Sequence, residues 1–157
     1  MPPATQLAGA AGFEIDRATH TIRFERDFDA PAALVFEAWT RPKEVAAWWD
    51  PEGQPLAACT IDLRPGGAFA FVSRSHPEMP FGGTYSEIDP PNLLVFEATG
   101  ATGRVRLAET GGGTHMTVEI ACRSAEHLDQ YLQMGVHRGT DRTLNNLVAH
   151  VSAAHEG

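Results

Sequence analysis

The sequence predicts an α+β domain in which a curved antiparallel sheet of about seven strands faces a long C-terminal helix, with two short helices after the first strand. Three observations carry that reading. Between Leu56 and Cys122, short apolar alternations are broken at nearly every junction by Gly or Pro, the punctuation of antiparallel turns. The two helical patterns bounded by Pro31, Pro42 and Pro51 come before this meander and not between successive strands, which argues against parallel βαβ units. After Ser124 the apolar spacing changes from every second residue to a helical period and keeps it to Val151.

Taken in order, residues 1–16 carry Pro2, Pro3, Gly9 and Gly12 without periodicity and are predicted as a loose tail, leaving residues 17–155 as the domain. Ile22, Phe24 and Phe28 alternate with Arg23, Glu25 and Asp27, as in a half-buried strand. Asp29-Ala30-Pro31 reads as a helix start, with Asp29 as acceptor for free amide protons and Pro31 tolerated in the first turn. Leu34, Val35, Ala38 and Trp39 share one face of that helix. Pro42 opens a second helix carrying Val45, Trp48 and Trp49, and Pro51 stops it.

The meander follows. Cys59, Ile61 and Leu63 alternate with Thr60 and Asp62, and Pro65-Gly66-Gly67 turns the chain into Phe69–Phe71. Residues 76–81 read as a loop before the strand Tyr85–Ile88, and Pro90-Pro91-Asn92 turns into Leu93–Phe96. Val105 and Leu107 mark the next strand, and three glycines from Gly111 lead into Met116, Val118, Ile120 and Cys122. Ser124 caps a helical stretch with Leu128, Tyr131, Leu132 and Met134. The last helix sets Val136, Thr140, Leu144, Leu147, Val148 and Val151 on one side, and Gly135 with Gly139 permits a kink or close packing.

Composition narrows the function. A chain of 157 residues can bury a core without disulfides or a structural metal. Acidic residues outnumber basic ones 20 to 12, for a formal charge of −8, and no Lys/Arg cluster interrupts the balance. A nucleic acid would be repelled. No apolar run approaches the ~20 residues of a membrane helix, and the N-terminus lacks the basic start and apolar stretch of a secretory signal. Cys59 and Cys122 lie on separate strands and read as free thiols in a reducing compartment, so a cytoplasmic location is expected.

Motifs for chemistry are few. The seven histidines show no metal-binding spacing, no nucleophile elbow exists, and the glycine runs sit at turns and not between a strand and a helix. No metal and no cofactor are therefore predicted. His137 and Asp141, one helical turn apart, fit a base with its orienting partner, although a plain surface pair is commoner at that spacing and faces solvent. His76, His150 and His155 read as solvated, and Arg64 beside Asp62 as a structural pair at a strand end.

Particular words in the chain carry a resemblance. They are Phe28-Asp29-Ala30-Pro31, Val35-Phe36-Glu37-Ala38-Trp39-Thr40, Trp48-Trp49 before Pro51, Ile61-Asp62-Leu63-Arg64-Pro65-Gly66-Gly67, Gly83-Thr84-Tyr85 with Glu87, Pro90-Pro91 before Leu93, and Gly139 with Leu144 and Leu147. Across about residues 19–152 they resemble the homologues of the heat-shock-protein-90 ATPase activator, within the helix-grip (START-like, SRPBCC) group of polyketide cyclases and lipid carriers. The resemblance implies a sheet gripping one long helix, with a cleft between them. Known members mostly lack a defined reaction, and those with a role are described as co-chaperones, carriers of hydrophobic ligands or stress-related proteins.

A small hydrophobic molecule would then meet Trp48, Trp49, Phe69, Phe71, Tyr85, Phe96, Met116, Val118, Met134, Thr140 and Leu144. The adjacent Trp48 and Trp49 cannot face one way on a helix, so one of them reaches the mouth, whereas Trp39 reads as core. Relatives commonly carry Trp where this chain has Thr140; the smaller residue enlarges the cavity unless Trp49 or Met134 fills the gap. Three functions compete: carriage of an apolar ligand, proton-transfer catalysis of a cyclase or hydrolase kind by Tyr85 or the His137–Asp141 pair, and a co-chaperone module contacting a chaperone. Monomer and homodimer both fit.

Overall fold

In the computed structural model, which describes residues 12–156, the period-two stretches become strands of a single antiparallel sheet. The strands are β1 (Phe13–Asp16), β2 (Thr21–Phe28), β3 (Ala58–Ile61), β4 (Ala68–Val72), β5 (Phe81–Asp89), β6 (Leu93–Ala98), β7 (Ala101–Thr110) and β8 (Gly113–Ala121). They lie in the order β1-β2-β8-β7-β6-β5-β4-β3, so the first hairpin closes against the last strand and the rest is a meander. Helices α1 (Ala32–Thr40) and α2 (Pro42–Trp48) join β2 to β3, and α3 (Ala125–Gln133) and α4 (Val136–Glu156) end the chain.

Register puts the apolar sets together. Phe24 pairs with Val118 and Ile22 with Ile120, while Val105 and Leu107 of β7 pair with Val118 and Met116. These side chains share the inner face, against which Val35 and Ala38 of α1, Leu128 of α3 and Leu144, Leu147 and Val151 of α4 are buried. One inward position of β2 holds a charge. Arg26 reaches α4, donating to the Asp141 carboxylate at 2.6 Å, the Asp141 carbonyl at 3.2 Å and Asn145 at 3.2 Å, and back to the Gly12 carbonyl at 3.0 Å.

The structure amends the sequence reading in several places. Residues 13–16, assigned to the tail, form β1 and raise the strand number to eight; residues 1–11 and the side chain of His155 lie outside the described residues. Phe13 and Ile15 pack on the core, a contact too short in sequence to show as a period. Asp29 does not cap α1: Pro31 occupies that position, and the Ala32 amide points at Glu109 of β7, 3.4 Å away. Ser124 does cap α3, accepting the His127 amide at 3.1 Å. Gly135, with φ of 76°, separates α3 from α4, a left-handed turn that glycine adopts without steric cost. Phe81, assigned to a loop, begins β5. Cys59 and Cys122 are free, and Arg64 and Asp62 pair at 2.9 Å.

The Arg26–Asp141 pair is largely shielded, with 12% and 26% of the two side chains exposed. Arg26→Lys keeps the charge but loses the fork that serves several acceptors at once. Urea unfolding of that variant should show a loss of about 1–3 kcal/mol, the usual worth of charge-assisted hydrogen bonds.

Candidate functional site

Between α4 and the inner face of β5–β8 the side chains leave a pocket of about 370 Å³. Its walls come from Phe96 and Ala98 of β6, Ala101 and Gly103 of β7, Val118 and Ile120 of β8, and Val136, Gly139, Thr140, Thr143 and Leu144 of α4. Trp39, Trp49, Pro51, Phe81, Tyr131 and Met134 complete it, with Thr99 at the β6–β7 turn. Among the described residues, none that lines it carries a formal charge.

Of the residues singled out in the sequence, Trp49, Phe96, Val118, Met134, Thr140 and Leu144 meet at this pocket. Trp48, Phe69, Phe71, Tyr85 and Met116 do not line it. Four of these belong to an aromatic chain that fills the neighbouring part of the interior. Trp48 packs on Trp39 and Trp49 at centroid separations of 4.9 and 5.7 Å, Trp49 on Phe71 at 4.8 Å, and Phe69 on Phe71, Tyr85 and Phe96 at 5.1, 5.0 and 5.6 Å. Rings in tilted and edge contact pack densely, and the space left among them is about 10 Å³. Met116 is fully buried under the indole N–H of Trp39, 3.4 Å from its sulfur.

Trp49 is thus the member of the tryptophan pair that faces the pocket, and its placement has a cause. The Thr143 hydroxyl donates to the Trp49 carbonyl at 3.0 Å, and the Asn146 amide to the Asp50 carbonyl at 2.9 Å. The end of α2 is pinned to α4 by two successive backbone groups. Trp48 turns the other way and gives its indole proton to the Ala38 carbonyl at 2.9 Å.

Trp39 belongs to the core and to the pocket wall as well. Sequence reasoning passed over Ile120, Gly103, Tyr131 and Thr99. Ile120 shares the parity of Val118, a signal that was present. Gly103 stands opposite Phe96, whose ring occupies the place a Cβ would take. Tyr131 contacts Thr99 only through the fold: its hydroxyl lies within hydrogen-bond reach of both the hydroxyl and the carbonyl of Thr99. Thr99 and Gly100, with φ of 52° and 84°, form the two-residue turn that brings Thr99 there.

The pair His137 and Asp141 is not assembled. Asp141 is engaged by Arg26, and His137 is buried with its ring edge-on to Phe13 at 5.0 Å. The expectation of a solvent-facing histidine fails because β1 covers it. Burial, and then the charge of Arg138, lower its titration below the ordinary 6.5. Tyr85 is buried, and desolvation pushes its hydroxyl above the ordinary phenol range. Burial likewise pushes the Cys59 thiol up to about 11. A histidine that the sequence reading did not single out has the opposite setting. His115 lies between Asp27 at 2.7 Å and Glu25 at 3.0 Å on the outer face, and the hydrogen bond to Asp27 leads the causes that raise its titration. Among the described residues, no group of three His, Cys, Asp or Glu is placed to hold a metal ion, and no helix is long and apolar enough to cross a membrane.

The family described as activator of Hsp90 ATPase homolog 1-like protein matches residues 29–152. The chain belongs to that family. Solved structures similar to this AHSA1-like chain include a Nitrosomonas europaea protein (24% identity, 91% of this chain and 100% of that one, TM-score 0.80). A Mycobacterium smegmatis protein (24%, 91% and 98%, TM-score 0.74) and an AHSA1-like protein of Aeromonas hydrophila (22%, 86% and 95%, TM-score 0.69) share the fold. No curated protein matches the sequence. The AHSA1-like fold accounts for the eight-stranded sheet, the paired short helices and the long final helix.

The two perturbed histidines give opposite pH responses. His115, with its folded value above 6.5, stabilises the fold below 6.5, and that contribution is lost as pH rises through the raised value. His137, with its folded value lowered, contributes above 6.5, and the contribution is lost as pH falls through the lowered value. Proton NMR titration should place the His115 midpoint above the ordinary 6.5 and the His137 midpoint below it. His115→Gln should remove only the first limb from the pH profile of stability.

Proposed function

We propose that this AHSA1-like protein binds and carries a small apolar molecule in the pocket between α4 and the sheet. One observation carries the reading: about 370 Å³ of space walled by aromatic and aliphatic side chains with no charged group. Protein interiors leave few voids larger than a water, whereas small-molecule sites run from about 300 to 1,000 Å³. The two free thiols fit a reducing compartment, and the proposal places carriage in the cytoplasm.

Catalysis by the groups that the sequence brings forward has less support. Neither His137 nor Tyr85 lines the pocket, and Asp141 already serves Arg26. Docking on a chaperone would call for a broad apolar face. Among the described residues, the exposed large apolar side chains Leu34, Leu63, Met79 and Met134 lie on four separate segments of the chain, and Met134 lines the pocket.

The neutral dye N-phenyl-1-naphthylamine reports on such a pocket through its fluorescence. The folded protein should bind it, and Thr140→Trp, which puts an indole into the space, should weaken binding about tenfold or more while the melting transition is retained. Equal affinity in the two proteins would exclude this pocket as the binding site.

A further inference from the structure

Four hydroxyl-bearing residues line the pocket, Thr99, Tyr131, Thr140 and Thr143. Three have their protons engaged within the protein. Thr99 and Tyr131 direct their two protons among each other's hydroxyl and the Ala98 and Thr99 carbonyls, and Thr143 donates to the Trp49 carbonyl at 3.0 Å. Thr140 differs. A helical threonine commonly turns its hydroxyl back onto the carbonyl one turn earlier, as Thr40 does to Phe36 at 2.8 Å. Among the described residues the Thr140 hydroxyl has no such bond, and the half-buried side chain stands between Val136 and Leu144, both of which line the pocket.

Of these four hydroxyls, that of Thr140 is therefore the one left, among the described residues, to donate to a molecule seated here. Among the described residues such a molecule meets no formal charge of either sign. A carboxylate or ammonium would lose its hydration without a partner, which costs far more than a neutral carbonyl loses when it is rehydrogen-bonded. The chain's charge of −8 adds to the disadvantage of an anion. Resting on the carriage reading above, we infer that the pocket selects an uncharged apolar molecule bearing one hydrogen-bond acceptor, such as a ketone, aldehyde or ester carbonyl, placed on the Thr140 hydroxyl. Thr140 is then a specificity residue: the aromatic and aliphatic walls supply affinity, and this one proton selects among apolar molecules of similar shape.

The test uses three naphthalenes with the same body, each displacing N-phenyl-1-naphthylamine from the full chain. They are 2-acetonaphthone, its isostere 2-isopropenylnaphthalene, which replaces the oxygen by a methylene, and the anion 2-naphthoate. The readout is the ratio of ketone to alkene affinity, because the ketone loses more hydration on entry. Thr140→Val, of nearly equal volume, should lower that ratio about three- to tenfold, the usual worth of one neutral hydrogen bond, and Thr140→Ser should preserve it. Naphthoate should bind at least about tenfold more weakly than the ketone. An unchanged ratio in Thr140→Val overturns the role of Thr140, and naphthoate binding as well as the ketone overturns the uncharged class; in both cases carriage stands. If the dye and all three naphthalenes fail to bind, the carriage reading falls and this inference with it.

Discussion

The geometry of this protein depends on a guanidinium in the wrong place for a simple amphipathic strand. Arg26 takes an inward position of β2, between the buried Phe24 and Phe28. Burying it without partners would be costly, so its position is stable only if other elements bring acceptors to it. They do: Asp141 and Asn145 from α4, and the Gly12 carbonyl from the segment entering β1. A planar fork with several donors sets direction as well as distance. α4 is held to β2 near one end of the sheet, and β1 is drawn in to cover His137.

With α4 held there, the pocket is the remainder of the packing problem. Aromatic side chains from α1, α2, β4, β5 and β6 fill one part of the interior by edge and tilted contacts. On the other part, small residues face the helix: Ala98, Ala101 and Gly103 on the sheet, Gly139 and Thr140 on α4. Small residues opposite small residues leave a gap between the helix and the sheet. Thr143 and Asn146 fasten the Trp49–Asp50 backbone over that gap, and the Tyr131–Thr99 contact ties α3 to the turn at its side.

Membership of the AHSA1-like family accounts for the order of elements and says nothing specific about cargo. Similar folds at 22–24% identity share the sheet and the helix, whose packing tolerates many apolar substitutions of equal volume. In the carriage proposed above, selection rests on side chains in the gap, where one hydroxyl or one ring alters what fits. The pKa pattern agrees with this division. His115 and His137 are perturbed by structural neighbours, and neither lines the pocket.

Local and short-range physics determined much of the protein from sequence alone. The alternation of Ile22, Phe24 and Phe28, the prolines around α1 and α2, the Ser124 cap and the helical period from Val136 to Val151 are patterns of neighbouring residues, and all of them became elements. About half of the expected pocket residues were legible for the same reason, since Val118, Thr140 and Leu144 face inward by their own period. Long-range contact decided the rest. Whether an inward aromatic side chain fills space or borders it depends on which rings arrive from other strands, so Phe69, Phe71 and Tyr85 became packing while Phe96, opposite Gly103, became wall. His137 was buried by residues 13–15, more than a hundred positions away, and Asp141 was taken by a strand at the other end of the chain. No local period records such pairings, because their energy comes from groups that only the closed sheet and its helix bring within reach.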